Sequence, residues 1–502
     1  MLHNVRTFYV SLFTAVSLRH YELSQLRKQV RKLTSLTWMY KRNCTAARSR
    51  KKVICYLGSW STYRQGDGKF QIEDIDPSLC THLIYSFVGV TNNDVKILDP
   101  ELDLNKNGFS RFNELRKKNP ELKTMVAVGG WTEGSAGFSR MASNPSSRGE
   151  FVKNVVAFIK KYKFNGLDMD WEYPAQRDGA SPADVDNFVA LLKELRATFD
   201  REKFLLSAAV GAAESSASKS YNIPEISKYL HFINLMTYDL HGYWDRKTGM
   251  HSALYSASSE IGDAAKRNID VIVKYWLSQG TPKEKLILGT PLYGRSFTIN
   301  SGSNAVDSVS SGPGAKGIYT GEGGLLGYNE ICELIKNSGW QVKFDVERRV
   351  PYAYHANQWV SFDNVKSMTE KAEFVNKMGL GGAMVWSIDT DDFKGNCGIK
   401  YPLLKTLNAV LRNGESVTDP RAEASLEPTN EGTAMPVEEP QNPTYAENDA
   451  ECTAAGAFPD PTNCNQFFYC VADGIGNFIK YPASCPTKNL CFNKESGFCD
   501  WS

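Results

Sequence analysis

The chain lacks a long apolar run, a charge excess of one sign and any histidine cluster. The best apolar stretch, Thr7–Leu18, is 12 residues long, too short to span a bilayer and about the length of a signal-peptide core. The formal net charge of +2 removes any global bias towards nucleic acid. None of the seven His is placed as a ligand pair, so no metal site is expected. Acid is scarce in one region: residues 1–50 carry ten Lys or Arg against a single Glu22. That segment is set aside from the fold as a signal or leader, the alternative being a short extra basic helix. Secretion to the extracellular space, no membrane span and a monomeric chain are expected.

Cysteine is sparse until the C-terminus, where six of the 11 crowd together: Cys452, Cys464, Cys470, Cys485, Cys491 and Cys499. A segment that small cannot bury enough apolar surface alone, so residues 451–502 are expected to form a disulfide-rich module. A zinc site would need short Cys-x-x-Cys pairs or nearby His, and neither follows Cys452. Residues 412–450 are punctuated by Pro, rich in Glu, Ser and Thr, and almost without aliphatic side chains. Such a composition does not offset its ordering entropy and reads as a linker.

Between these flanks, residues 51–411 alternate apolar strand runs with helix-length segments. The runs are Val53–Trp60, His82–Val90, Lys123–Gly130, Gly166–Tyr173, Phe204–Gly211, Phe232–Asp239, Leu286–Gly294 and Gly382–Asp389. Eight near-continuous apolar runs need cover on both faces, which points to an α/β parallel (β/α)8 TIM barrel. About 90 residues separate the seventh run from the eighth. A single helix does not fill that gap, so a small α+β insertion is expected over about 297–373.

The chemistry concentrates in Asn165-Gly-Leu-Asp-Met-Asp-Trp-Glu172. Alternation on a strand puts Leu167, Met169 and Trp171 on one face and Asp168, Asp170 and Glu172 on the other. Like charges in a buried line cannot all ionise, so at least one proton is retained. A solvated acidic edge strand would not carry large apolar residues at the alternate positions. The last carboxyl stands at the strand's C-terminal end, where barrels place reacting groups.

This pattern resembles the Asp-x-x-Asp-x-Asp-x-Glu signature of glycoside hydrolase family 18, and the likeness runs over residues 53–411. Lys123–Trp131, ending Gly129-Gly130-Trp131, resembles the family's third-strand motif. Met236-Thr237-Tyr238-Asp239 resembles the sixth, while Tyr293–Phe297 and Gly382–Trp386 resemble the seventh and eighth. The resemblance is strongest to animal chitinases of the chitotriosidase and acidic mammalian chitinase kind.

It implies hydrolysis of β-1,4-linked N-acetylglucosamine polymers by a retaining mechanism without an enzyme nucleophile or cofactor. Glu172 would be the general acid and base. Asp170 would orient the substrate's acetamide, Tyr238 would donate to its oxygen, and Asp168 would share a proton with Asp170. Trp386 would floor the cleft and Trp131 would stack on the leaving-group side. Tyr56, Phe87, Gly129, Gly130, Thr132, Tyr173, Met236, Thr237, Tyr293 and Arg295 would complete the lining. Asp239 and Arg295 would bond the sugar or fix the acid's neighbours, and Arg295 could equally be a salt-bridge strut. The family's first Asp is here Asn165, from which a weakened relay behind Asp168 and a shifted pH profile are expected. Cys55 should pair with Cys80, and Cys332 with Cys397.

The C-terminal segment resembles a peritrophin-type chitin-binding module, with Tyr469, Phe478 and Trp501 as candidates for stacking on chitin. Cys452–Cys470, Cys485–Cys499 and Cys464–Cys491 are the expected pairs there. Chitin and chitooligosaccharides are the expected partners. The alternative is a catalytically weak or inactive chitin-binding lectin on the same scaffold, for which Asn165 is the best support. A matrix protein using the barrel as a spacer is a further reading.

Overall fold

The computed structural model describes residues 51–300, 303–413, 456–459, 463–472, 478–484, 490–493 and 498–501. The expected leader lies outside the described residues, as does the expected linker beyond Asn413.

Eight parallel strands close a barrel: β1 (Lys52–Gly58), β2 (His82–Thr91), β3 (Lys123–Gly129), β4 (Gly166–Asp170), β5 (Leu205–Gly211), β6 (Phe232–Met236), β7 (Leu286–Pro291) and β8 (Gly382–Trp386). Each pairs with its sequence neighbour, and β8 returns to β1 through Lys52↔Gly382 to Cys55↔Val385. Asp94–Ile97 adds one antiparallel strand to the end of β2.

The strand runs lack polar alternation because both faces are covered. Outward-facing Val53, Leu83, Val126, Leu167, Met169, Leu206 and Leu288 join the helices in one large core. The helix Asp184–Glu202 turns Phe188, Leu191, Leu192, Leu195 and Phe199 to that core, the three-and-four spacing of an amphipathic helix. Each such side chain stabilises the fold by about 1.5–3 kcal/mol. Inside the barrel a smaller set packs: Ile54, Tyr56, Ile84, Met125, Ala127, Ala209, Phe232, Ile287 and Met384.

The long gap before β8 holds a separate antiparallel sheet. Its strands run Ser310–Pro313, Tyr293–Ile299, Gln358–Ser361, Val350–His355 and Gln341–Asp345, with Leu325–Gly327 also on Tyr293–Ile299. The sheet begins four residues earlier than expected and ends at Ser361. Helix Val365–Met378, which straddles the expected end of the insertion at about 373, sends Met368, Ala372, Phe374 and Val375 into the barrel core. Tyr293–Ile299 follows β7 after only Leu292, so strand residues pass straight from one sheet to the other.

Cys55–Cys80 and Cys332–Cys397 form as the resemblance implied. Asp392 holds the loop to Cys397 by accepting the N–H groups of Gly395, Asn396 and Cys397.

The C-terminal unit is a β module of its own. Gly456–Pro459, Gln466–Ala472 and Phe478–Ser484 form one antiparallel sheet, and Leu490–Asn493 pairs with Phe498–Trp501. Cys464–Cys491 forms. The pairs expected from Cys452, Cys470, Cys485 and Cys499 lie outside the described residues, as do the side chains of Tyr469, Phe478 and Trp501. No helix among the described residues is long and apolar enough to cross a membrane.

Candidate active site

The acid line is built from β4, and the anchor is on its outer face. Trp171 is fully buried, stacked on Phe138 at 5.2 Å, with its indole N–H donating to Ser135 Oγ at 3.1 Å. With Leu167, Met169 and Trp171 fixed outwards, Asp168 and Asp170 turn into the barrel. The strand ends at Asp170, two residues short of Glu172, so the acid sits just past the strand at the barrel mouth.

Asp168 is wholly buried and well supplied with donors. Tyr56 from β1 donates to its Oδ2 at 2.7 Å, and Oδ1 accepts from Ser207 of β5 and from Asn234 of β6 at 3.3 Å. Burial pushes its pKa up, to about 6, against the pull of these three bonds. Asp170 lacks such support: its Oδ1 is buried with no partner among the described residues. Burial first, then the Glu172 and Asp168 carboxylates, hold its pKa well above the usual carboxylate range. Glu172 is 9% exposed, and burial pushes its pKa up to about 7. A hydrogen bond from Tyr173 and the charge of Arg177 pull it back, while Asp239 pushes it further up. Without a cation beside them among the described residues, Asp170 and Glu172 therefore hold protons towards neutral pH, while Asp168, with its three donors, gives its proton up lower.

Asp239, across the mouth, is treated differently. The Arg295 guanidinium grips it as a fork, both N–H···O distances being 2.6 Å, and Tyr293 donates to Oδ1 at 2.7 Å. Burial pushes this carboxyl up, but the Arg295 charge and hydrogen bonds, then His251, hold it far below its ordinary value. Arg295 thus forms the salt bridge that was one of its two expected roles.

The aromatic floor gathers at the strand ends. Trp386 stacks on Phe87 at 5.6 Å and meets Tyr56 at 5.6 Å. Gly130 lies against this floor, since a Cβ there would stand 2.6 Å from the Phe87 ring. Gly129, at φ +118°, has no room either: its Cβ would meet the Asp170 carbonyl at 2.1 Å. Both glycines serve close packing of the main chain. Tyr238 and Met236 pack partly buried against the inner core, and among the described residues the Tyr238 hydroxyl finds Met384 Sδ alone, at 3.8 Å. Trp131 is 62% exposed. Non-proline cis peptide bonds occur at Ser86–Phe87, Glu172–Tyr173 and Trp386–Ser387.

Two expectations are corrected. Thr237 is fully buried and gives its hydroxyl to the Gly289 carbonyl at 2.6 Å, so that hydroxyl is not presented to the cleft. Asn165 stands at the entry to β4, away from Asp168. Its Oδ1 accepts from the Thr124 N–H at 2.9 Å and from Arg116 at 3.1 Å, so it belongs to no relay behind the acids. Thr132 is exposed on the loop after β3.

The sequence reading missed several residues. Ser207 and Asn234 are polar positions inside apolar runs, a signal that was available. Trp60, 45% exposed and 6.1 Å from both Phe87 and Trp386, stood at the end of the expected run Val53–Trp60, a signal that was also available. Trp244 lies beneath the Arg295 guanidinium at 5.3 Å and had no strand to mark it.

Known proteins fit this geometry. A family model described as glycosyl hydrolases family 18 matches residues 52–391, and one for the chitin binding Peritrophin-A domain matches residues 452–502. Mouse chitotriosidase-1 is 40% identical over 466 residues, which is 90% of this chain and 96% of that protein. Among solved structures, a Group IV chitinase of Ostrinia furnacalis bound to allosamidin is 49% identical. The match covers 73% of this chain and 100% of that one, with a TM-score of 0.71. Human YKL-39, described as a pseudo-chitinase with retained chitooligosaccharide binding, is 39% identical over 72% of this chain and 99% of its own, with a TM-score of 0.68. Scaffold likeness thus embraces both an enzyme and a pseudo-enzyme, and both share this barrel. The chain belongs to the family 18 glycosyl hydrolases and ends in a peritrophin-A chitin-binding domain.

Proposed function

We propose that this protein is a secreted chitinase that hydrolyses β-1,4-linked N-acetylglucosamine polymers with retention, using the substrate's own acetamide as nucleophile. The observation that carries the reading is the unequal trio on β4 and just past its end. Asp168 is satisfied by three donors, Asp170 has a buried oxygen without a partner among the described residues, and Glu172 holds a proton to about pH 7.

Protonated Glu172 gives its proton to the glycosidic oxygen as the C–O bond breaks. The acetamide oxygen attacks the anomeric carbon and forms an oxazolinium ring. Asp170, its proton passed to Asp168, accepts the acetamide N–H and carries negative charge beside the developing cation. Tyr238, whose hydroxyl has no strong acceptor among the described residues, donates to the acetamide oxygen. Glu172, now a carboxylate, takes a proton from water, which opens the ring from the face the leaving sugar vacated. Trp386, Phe87 and Trp60 form the apolar floor under the reacting sugar. The C-terminal module tethers the enzyme to insoluble chitin.

A fluorogenic chitotrioside assay on the protein and on Glu172→Gln tests this, with anomer detection by NMR for retention. Turnover lost in the variant while chitooligosaccharide binding persists supports the reading. Binding without turnover in both proteins makes the chain a lectin. Asn165, which favoured the lectin in the sequence, gives it no support once placed with Thr124 and Arg116.

A further inference from the structure

Arg177 stands outside the acid line and the Asp239–Arg295 pair, and beyond its pull on the Glu172 proton it touches two site residues at once. It lies in the turn after Glu172 with a left-handed φ of +70°. Its Nη1 donates to the Trp131 carbonyl at 2.6 Å and to the Glu172 carbonyl at 3.1 Å. Its guanidinium carbon stands 3.9 Å from the centre of the Trp131 ring. One side chain therefore ties the main chain of the loop after β3 to the main chain of the acid, and covers one face of an indole that is 62% exposed.

Two consequences follow from elementary chemistry. An exposed Trp on a loop would otherwise turn about its side-chain bonds, and a cation held on one face by carbonyls fixes it in one orientation. The covered face is closed to stacking, so a pyranose packs only on the other. A sugar there sits about one further stacking distance from the guanidinium, on the order of 7–8 Å from the charge. At that range an ammonium on the sugar is repelled, and partial exposure screens the repulsion without abolishing it. A neutral acetamide is not repelled.

We propose that Arg177 is a positioning and specificity-determining residue of the leaving-group side: it orients Trp131 and makes the sugar stacked there N-acetylglucosamine rather than cationic glucosamine. This rests on the reading of the chain as a chitinase with Trp131 on the leaving-group side. The trio selects the acetamide of the reacting sugar, whereas Arg177 selects at its neighbour. Arg177 also deepens the coupling between loops, since movement of the Trp131 main chain is transmitted to that of Glu172.

The experiment uses the full-length protein, Arg177→Gln and Arg177→Lys. Partly deacetylated chitosan is digested and the products are sequenced by mass spectrometry. Hydrolysis turns the leaving-group-side sugar into a new non-reducing end, so the glucosamine share of those ends reads the selection directly. Arg177→Gln should raise that share about two- to tenfold, while Arg177→Lys, which keeps the charge, should stay near wild type. On fully acetylated tetramer both variants should lose more in KM than in kcat, because neither restores the planar two-carbonyl clamp. Equal glucosamine shares in wild type and Arg177→Gln would overturn the specificity claim. A loss confined to kcat would overturn the positioning claim. Wild-type protein that leaves the acetylated tetramer intact would sink the chitinase reading itself, an outcome distinct from both.

Discussion

The two sides of the barrel mouth treat their carboxyls in opposite ways. On the β4 side, Asp170 and Glu172 are buried with each other for company, and both keep protons far above the usual carboxylate range. On the β6 side, Asp239 is gripped by Arg295 and stays ionised well below that range. All three groups are carboxyls. What differs is a guanidinium within hydrogen-bond distance, beside a more open side chain at Asp239, and that difference separates carboxyls that hold their protons from one that stays ionised.

The largest way to break the comparison is to remove the donor. Glu172→Gln keeps the shape and removes the titrating proton, so kcat should fall by about 10³-fold or more, with oligosaccharide affinity within a few-fold of wild type. Steady-state rates and calorimetric binding check it together.

Removing the cation on the other side makes Asp239 resemble its neighbours. Arg295→Met leaves the carboxylate without its fork. Asp239 keeps about a third of its side chain open to solvent, so the cost should be about 1–3 kcal/mol, below that of breaking a fully buried pair. Denaturant unfolding reads it, and Arg295→Met combined with Asp239→Asn should recover most of the loss.

The third prediction concerns pH. Glu172 has a folded pKa of about 7, raised above its ordinary 4.5. The native state therefore binds more protons than the unfolded chain between those values, and stability is lost as pH rises through that window. Glu172→Gln escapes the loss. It should match wild type near pH 4 and be more stable at pH 8, by up to about 3 kcal/mol. Thermal melts at the two pH values decide.

The smallest effect is expected at Asn165. A carboxylate there would still accept from Thr124 N–H and Arg116. Asn165→Asp should leave the pH–rate profile in place and change stability by under about 1 kcal/mol. A displaced profile would return Asn165 to the relay that the sequence motif suggested.

That reversal shows where sequence reading stops. The eight strands were legible because parallel barrel strands are apolar on both faces, and the line Asp168-x-Asp170-x-Glu172 was legible because alternation is strict. Alternation fixes a face but not depth. Asn165 and Asp168 belong to one motif, yet Asn165 stands where the strand enters the barrel and Asp168 in the interior. Thr237 carried a hydroxyl in a site motif, but its bond to Gly289 depends on the neighbouring strand. Arg177 had no signal at all: a cation in a polar turn looks like any other until the loop after β3 is folded against it. The expected insertion ran to about 373, inside the helix Val365–Met378, because chain distance does not tell which sheet an amphipathic helix covers.

The account stands or falls on the proton carried by Glu172. Titration of the protein labelled with 13C at glutamate carboxyls, read as the difference from Glu172→Gln, follows that group alone. A midpoint near 7 is the predicted result. A midpoint in the ordinary glutamate range, near 4.5, would mean that burial without a partner cation does not hold the acid protonated, and the contrast with Asp239 would lose its meaning.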